Sequence, residues 1–240
     1  MKKLSIITIT YNDGDTFRKA VESVDAQTAR PEIEHIVVDS SNVPVALPPE
    51  SDARLVRTEP RGVYASLNEG IRQSTCDVIG MVHGNDWLPD ADVARKVIEA
   101  FDADPELDFI FGDVEYRNLK TGRLLRSYSA ARFRPQLLDY GFTPGHPTLY
   151  VRRRVFDLVG LYDESFRIGG DFEMWLRLFD PQAGLRWRYT GEKMAVMSPG
   201  GISQLLVNQI SVTPLEKQRA LRMHGRNGNM LRLIVRLLYM

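Results

Sequence analysis

The residues best suited to chemistry lie in the stretch 76–89, CDVIGMVHGNDWLP, where an apolar run (Val78, Ile79, Met81, Val82) meets the polar turn Gly84-Asn85-Asp86. An apolar strand ending in a carboxylate is how an open α/β sheet presents a metal ligand, because such sheets bind ligands outside the carboxyl ends of their strands. Hard cations such as Mg²⁺ and Mn²⁺ take oxygen donors. They commonly keep one or two protein carboxylates and leave other positions to substrate phosphates. This pattern selects Asp86 as the metal ligand, with Asn85 offering a carbonyl oxygen that carries no charge.

Other polar residues sit at predicted strand ends: Thr10, Tyr11 and Asn12 after SIITIT, Asp39 after IEHIVV, and Arg61 and Asn68 beyond a third strand. In a parallel sheet these ends converge on one crevice. The Asp39 carboxylate can accept a hydrogen bond from a base or a ribose, or it can cap a turn. Tyr11 can stack on a base. The Arg61 guanidinium can grip a phosphate with its fork or stand in solvent. His83 can support a metal site from behind or close a strand with a hydrogen bond.

The elements that must position these groups follow from periodicity. Strands are expected over 4–10, 33–38, 54–58, 77–83 and 109–116, and helices over 15–27, 63–72 and 89–102. The first strand is apolar on both faces, as in a sheet covered by helices on each side. The βαβα order predicts a doubly wound, Rossmann-like, mostly parallel sheet. Beyond 116 the pattern changes. Thr121-Gly122 suggests a hairpin, 171–179 a helix stopped by Pro181, and 186–189 and 194–197 two short strands. Tyr140 to Pro147 reads as a loop, and Trp175 as core.

Composition narrows the class. Zero formal net charge gives the whole chain no nucleic-acid character. One cysteine, Cys76, rules out an internal disulfide and a thiolate-rich zinc site and fits a reducing compartment. No run reaches the roughly 20 apolar residues needed to span a bilayer. The N-terminal MKKLSIITIT reads as a first strand rather than a signal peptide.

Six fragments in order carry a resemblance: SIITITYNDGDTFRKAVESVDAQT, IEHIVVDSSN, EPRGVYASLNEGI, CDVIGMVHGNDWL, FGDVEY and HPTLYVRRRVFDLVGLYDESFRIGGDFEMWLRL. Across about residues 4–203 the chain resembles family 2 glycosyltransferases of the GT-A fold. That resemblance implies an inverting transferase using a nucleoside-diphosphate sugar, Mn²⁺ or Mg²⁺, and a glycan or lipid-linked acceptor in surface polysaccharide or glycolipid assembly. It implies that Thr10, Tyr11, Asn12 and Asp39 line the nucleotide pocket and that Arg61, Gly62 and Asn68 lie near the ribose or diphosphate. Asp86 would bind the metal, Asp171 would be the catalytic base, and His146 and Glu173 would lie toward the acceptor.

The chain departs from that family at Asp39-Ser40-Ser41-Asn42, at Ala65 where an acid is common, and at Asn85. These departures favour a catalytically degenerate nucleotide-sugar-binding protein as the alternative. A nucleotidyltransferase would need a glycine-rich basic phosphate loop after the first strand, which YNDGDTF lacks. From residue 214 the tail holds six Lys or Arg against Glu216, with an apolar face over 229–240. It reads as a separate helical tail, with residues 1–213 as the catalytic domain. Such a tail can rest on the anionic inner face of the plasma membrane, or dock on its own domain or a second subunit. Arg152, Arg153 and Arg154 can face that same surface or solvent.

Overall fold

The computed structural model describes residues 2–199 and 212–235. The last residues of the tail reading, 236–240, and the end of the family-like stretch near 203 lie outside them. The chain runs β1 (Leu4–Thr10), α1 (Asp15–Asp25), β2 (Ile33–Asp39), β3 (Arg54–Arg57), α2 (Val63–Gln73) and β4 (Val78–His83). Then come β5 (Asp86–Trp87), α3 (Val93–Ala103), β6 (Phe109–Arg117), β7 (Leu124–Tyr128), β8 (Tyr150–Arg152) and α4 (Arg153–Val159). It ends with α5 (Gly170–Leu178), β9 (Trp187–Met197), α6 (Thr213–Met223) and α7 (Met230–Val235).

The strands form one sheet in the order β3-β2-β1-β4-β8-β6-β9-β5, with β7 added on β6. Pairing is parallel through β3, β2, β1 and β4 and between β6 and β9; β8, β7 and β5 pair antiparallel. The sheet is therefore mixed. Every residue of β1 is buried, as its near-continuous apolar pattern requires when helices cover both faces. On one face α1 and α3 bury Ala20, Val24, Val93, Val97 and Phe101. On the other, α2 and α5 bury Leu67, Ile71, Phe172 and Trp175 with Phe109 and Phe111. Each large apolar side chain taken from water contributes roughly 1.5–3 kcal/mol. The register sets Thr10 opposite Asp39, Asp39 opposite Arg57 and Ile9 opposite His83, so the polar ends of four strands share one edge.

Three expectations are revised, and two short elements are added. The helix expected from Pro89 begins at Val93, because the Asp90 carboxylate accepts from the Asp92 N–H at 2.8 Å and holds a turn there. The two strands expected near 186–197 are one, β9. Gly191, at φ 75°, and register shifts opposite residues 111–114 absorb its polar middle. The short β8 and α4 were not read from the sequence at all. Arg152, Arg153 and Arg154 face neither membrane nor open solvent as a set. Their guanidinium groups bond Asp77 and the Leu107 carbonyl, the Ser74 and Cys76 carbonyls, and Asp108, respectively.

The described part of the tail beyond 213 packs against the rest of the chain. Helix α6 packs on α5, and Ala220, Leu221 and Leu233 are buried in the main core. Lys217 is buried and donates to the Gly141 carbonyl, Arg226 pairs with Asp139 at 2.7 Å, and Arg232 lies over the Tyr140 ring. An amphipathic face here serves internal packing. Among the described residues no helix is long and apolar enough to cross a membrane.

Candidate active site

The ends of β1, β2 and β3 form the first wall. Asn12, at φ 57°, turns the chain out of β1; its N–H donates to Ser41 Oγ at 2.8 Å and its side-chain oxygen accepts from the Asn42 N–H at 3.1 Å. Tyr11 is half exposed beside this turn, and Thr10 is buried. A cavity of about 430 Å³ opens here, lined by Ser41, Asn42, Arg57, Thr58, Glu59 and Pro60. Asp39 does not line it. Its carboxylate is fully buried and accepts from the N–H groups of Ser41 and Val45 and from Arg57. Burial alone would raise its pKa; those donors hold it below the usual carboxylate value. Arg57, which does line the cavity, is anchored by Asp39. The pair forms because the two residues stand opposite each other on adjacent parallel strands.

Arg61 is exposed next to Pro60, and Gly62, at φ 107°, caps α2 in a conformation only glycine adopts without strain. Asn68 is buried, its amide donates to the Tyr162 carbonyl and Glu164, and its oxygen accepts from the Tyr162 N–H, so it clamps the loop at residue 162.

The second wall is the turn after β4. The Gly84 N–H donates to the Ile9 carbonyl at 2.9 Å, and the Asn85 carbonyl accepts from Ser198 at 2.9 Å. Asp86 lies in β5, buried, with Oδ1 lacking a hydrogen-bond partner. Burial pushes its pKa well above the usual value, and the Asp13 carboxylate adds to the shift. Burial likewise raises Asp13, which accepts from the Tyr11 N–H at 3.0 Å. Asp13 was not singled out from sequence, where YNDG reads as a turn. An orphaned carboxylate oxygen beside a second acid suits a divalent cation, whose charge would offset both. Among the described residues no group of three or more His, Cys, Asp or Glu is gathered, so a metal here would draw its remaining ligands from phosphates and water.

The third wall is the start of α5. Asp171 is half-buried in its first turn; its N–H donates to the Tyr64 hydroxyl at 3.1 Å, and its Oδ1 accepts from the Phe172 N–H at 2.7 Å. The Asp171 charge is felt at His83, Tyr64 and Tyr162, which sets it beside the end of β4. Behind it runs a buried chain in which His83 meets His146 at 3.4 Å and His146 meets the Tyr162 hydroxyl at 2.9 Å. His146 is 8% exposed, with both ring nitrogens engaged in this chain. Glu173 is buried and is bound by Arg177 at 2.6 Å and by His224 at 2.9 Å.

Burial lowers the pKa of His146 to about 4 from the usual 6.5. Its folded-state value lies below its unfolded one, so between pH 6.5 and 4 the unfolded chain takes up a proton that the native state refuses. Stability is present above 6.5 and is lost as the pH falls. The loss is roughly 1.4 kcal/mol per pH unit for this group. Urea unfolding at pH 7, 5.5 and 4.5 should therefore show a steeper decline for the parent than for His146→Gln.

The curled mixed sheet with helices on both faces is the fold of GT-A glycosyltransferases. Two solved structures are similar at the level of the fold. One is Staphylococcus aureus TarS 1–349 in complex with UDP-GlcNAc (TM-score 0.64, 15% identity, 92% of this chain and 65% of that one). The other is a mannosyltransferase from Pyrobaculum calidifontis in complex with GDP-Man and Mn²⁺ (TM-score 0.62, 16% identity, 95% and 65%). Residues 5–159 match glycosyl transferase family 2, and the chain belongs to that family. An uncharacterized glycosyltransferase of Mycobacterium tuberculosis is 29% identical over 179 residues, 72% of this chain and 68% of that relative. A PGL/p-HBAD biosynthesis glycosyltransferase of Mycobacterium bovis is 26% identical over 216 residues, 85% and 80%. The chain is thus a glycosyltransferase that spans about two thirds of the length of those solved structures.

Proposed function

We propose that the chain transfers a sugar from a nucleoside-diphosphate sugar to an acceptor hydroxyl with inversion at the anomeric carbon, and that Asp171 is the base. The observation that carries this reading is the place of Asp171: a half-buried carboxylate at a helix N-terminus, beside the end of β4, where the strand ends converge. A helix N-terminus favours the ionised carboxylate, the form a base needs. The acceptor oxygen bonds to the anomeric carbon as the bond to the diphosphate oxygen breaks, and the acceptor proton passes to Asp171. An alcohol attacks slowly until a positioned base takes that proton.

Arg57, Ser41 and Asn42 would hold the nucleotide from the cavity side, with Tyr11 at its rim. Asp86 and Asp13 would hold Mn²⁺ or Mg²⁺, which when bound acts as a Lewis acid on the diphosphate leaving group. The acceptor is a glycan or a lipid-linked sugar, in surface polysaccharide or glycolipid assembly; the relative named for PGL/p-HBAD biosynthesis supports that setting. The tail acts as a brace of the domain, since Ala220, Leu221 and Leu233 are buried in the main core.

The test is a thermal-shift panel of UDP, GDP, dTDP and CDP with and without Mn²⁺. Ligand at 100 times its Kd stabilises by about 2.7 kcal/mol. One nucleotide is expected to raise Tm by several degrees in a Mn²⁺-dependent manner. No shift with any of them overturns the reading. Binding without turnover of any sugar donor would favour the degenerate alternative suggested by Asn85.

A further inference from the structure

One carboxylate in the tail reaches the segment just ahead of Asp171. Glu216, in the first turn of α6, accepts three consecutive backbone N–H groups: Arg167 at 2.8 Å through Oε1, and Ile168 at 2.8 Å and Gly169 at 2.6 Å through Oε2. Successive N–H groups turned inward form a cradle for an anion. Bonds to an ionised acceptor are about twice as strong as neutral ones. The fit is close, because a Cβ on residue 169 would stand 2.9 Å from the Glu216 Cβ.

The same segment is held from its other side by α2. The Tyr64 hydroxyl donates to the Ile168 carbonyl and accepts the Asp171 N–H. A Cβ on residue 170 would meet the Tyr64 ring at 2.7 Å, so glycine is required for that approach. Residues 167–171 are therefore gripped between α6 and α2, and Arg219 adds a bond from α6 to Ser165 at 2.7 Å.

We infer that Glu216 is a positioning residue for Asp171: the tail helix fixes the backbone that aims the base, so α6 belongs to the transfer machinery although it need touch no substrate. This rests on the reading of Asp171 as base. A misplacement of about 1 Å can cost 10²-fold in rate, and loss of the three bonds would free the segment by that order of distance.

The experiment compares Glu216→Gln and Glu216→Ala with the parent, measuring nucleotide release from UDP-GlcNAc, GDP-mannose, or the donor matching the nucleotide found by thermal shift, with Mn²⁺. Gln keeps one acceptor oxygen and turns an N–H₂ toward N–H donors, so the losses should be graded. The expected result is a kcat at least tenfold lower for Gln and lower still for Ala, with donor KM within twofold. Hydrogen exchange should quicken at the amides of residues 167–169 in both variants. Glu216→Gln added to Asp171→Asn should cost nothing beyond Asp171→Asn alone. If the Glu216 variants do not fold, Gly169→Ala presses on the same contact and should give the same split between kcat and KM. A kcat within twofold of the parent despite faster exchange overturns the proposal, as does a donor KM that rises as much as kcat falls. Asp171→Asn that keeps full turnover removes the base reading instead, a separate outcome.

Discussion

Asp171→Asn is expected to lower kcat for sugar transfer by about 10³-fold, within the range a positioned general base contributes. The substitution keeps size and hydrogen-bonding shape and removes only the ability to take a proton. The backbone N–H of residue 171 still reaches the Tyr64 hydroxyl, and the amide oxygen can still accept from the Phe172 N–H. Fold and nucleotide affinity should therefore be unchanged. Steady-state kinetics with one donor, beside calorimetric titration of the nucleoside diphosphate, checks both halves. Transfer at the parent rate would mean that another group takes the proton.

The second large effect concerns stability. Glu173→Ala is expected to destabilise the fold by about 3–5 kcal/mol, the usual cost of stripping one partner from a buried ion pair. Arg177 is mostly buried, holds Glu173 at 2.6 Å and also donates to the carbonyls of Val159 and Gly160. Without the carboxylate its charge stays inside with only carbonyl dipoles to meet it. Replacing both partners by apolar residues, Glu173→Leu with Arg177→Met, should cost much less than the single change, since no charge is left unpaired. Urea unfolding measures both. A fully stable Glu173→Ala protein with impaired acceptor use would restore the acceptor role expected from its sequence position.

Much of the framework was legible because periodicity reports burial directly. The strands β1, β2 and β4 are apolar runs ending in polar residues, and α1 and α2 carry their apolar faces at helical spacing. The short β8 and α4 were not legible, because three and seven residues give no period to count. Around the site, sequence reasoning found the strand ends but could not tell which polar side chains spend their hydrogen bonds on the chain itself. Asp39, Asn68 and Glu173 are all so spent, through partners 94 positions away for Asn68 and 51 positions away for Glu173. Arg57 and Asp13 were passed over because RLVR and YNDG are ordinary as strand and turn; only the register and the approach of Asp86 give them meaning. The tail is ambiguous in sequence for a related reason. Its charge and its apolar stripe are the same whether the stripe meets lipid or the chain's own core.

The docking of α6 carries a practical consequence. A chain cut after residue 213, where composition alone would draw the edge of the catalytic unit, would lay bare the apolar surface now covered by Ala220, Leu221 and Leu233 and leave the Arg167–Gly169 amides without their acceptor. Such a fragment should aggregate rather than serve as a minimal enzyme, because newly uncovered apolar patches seek partners in other molecules.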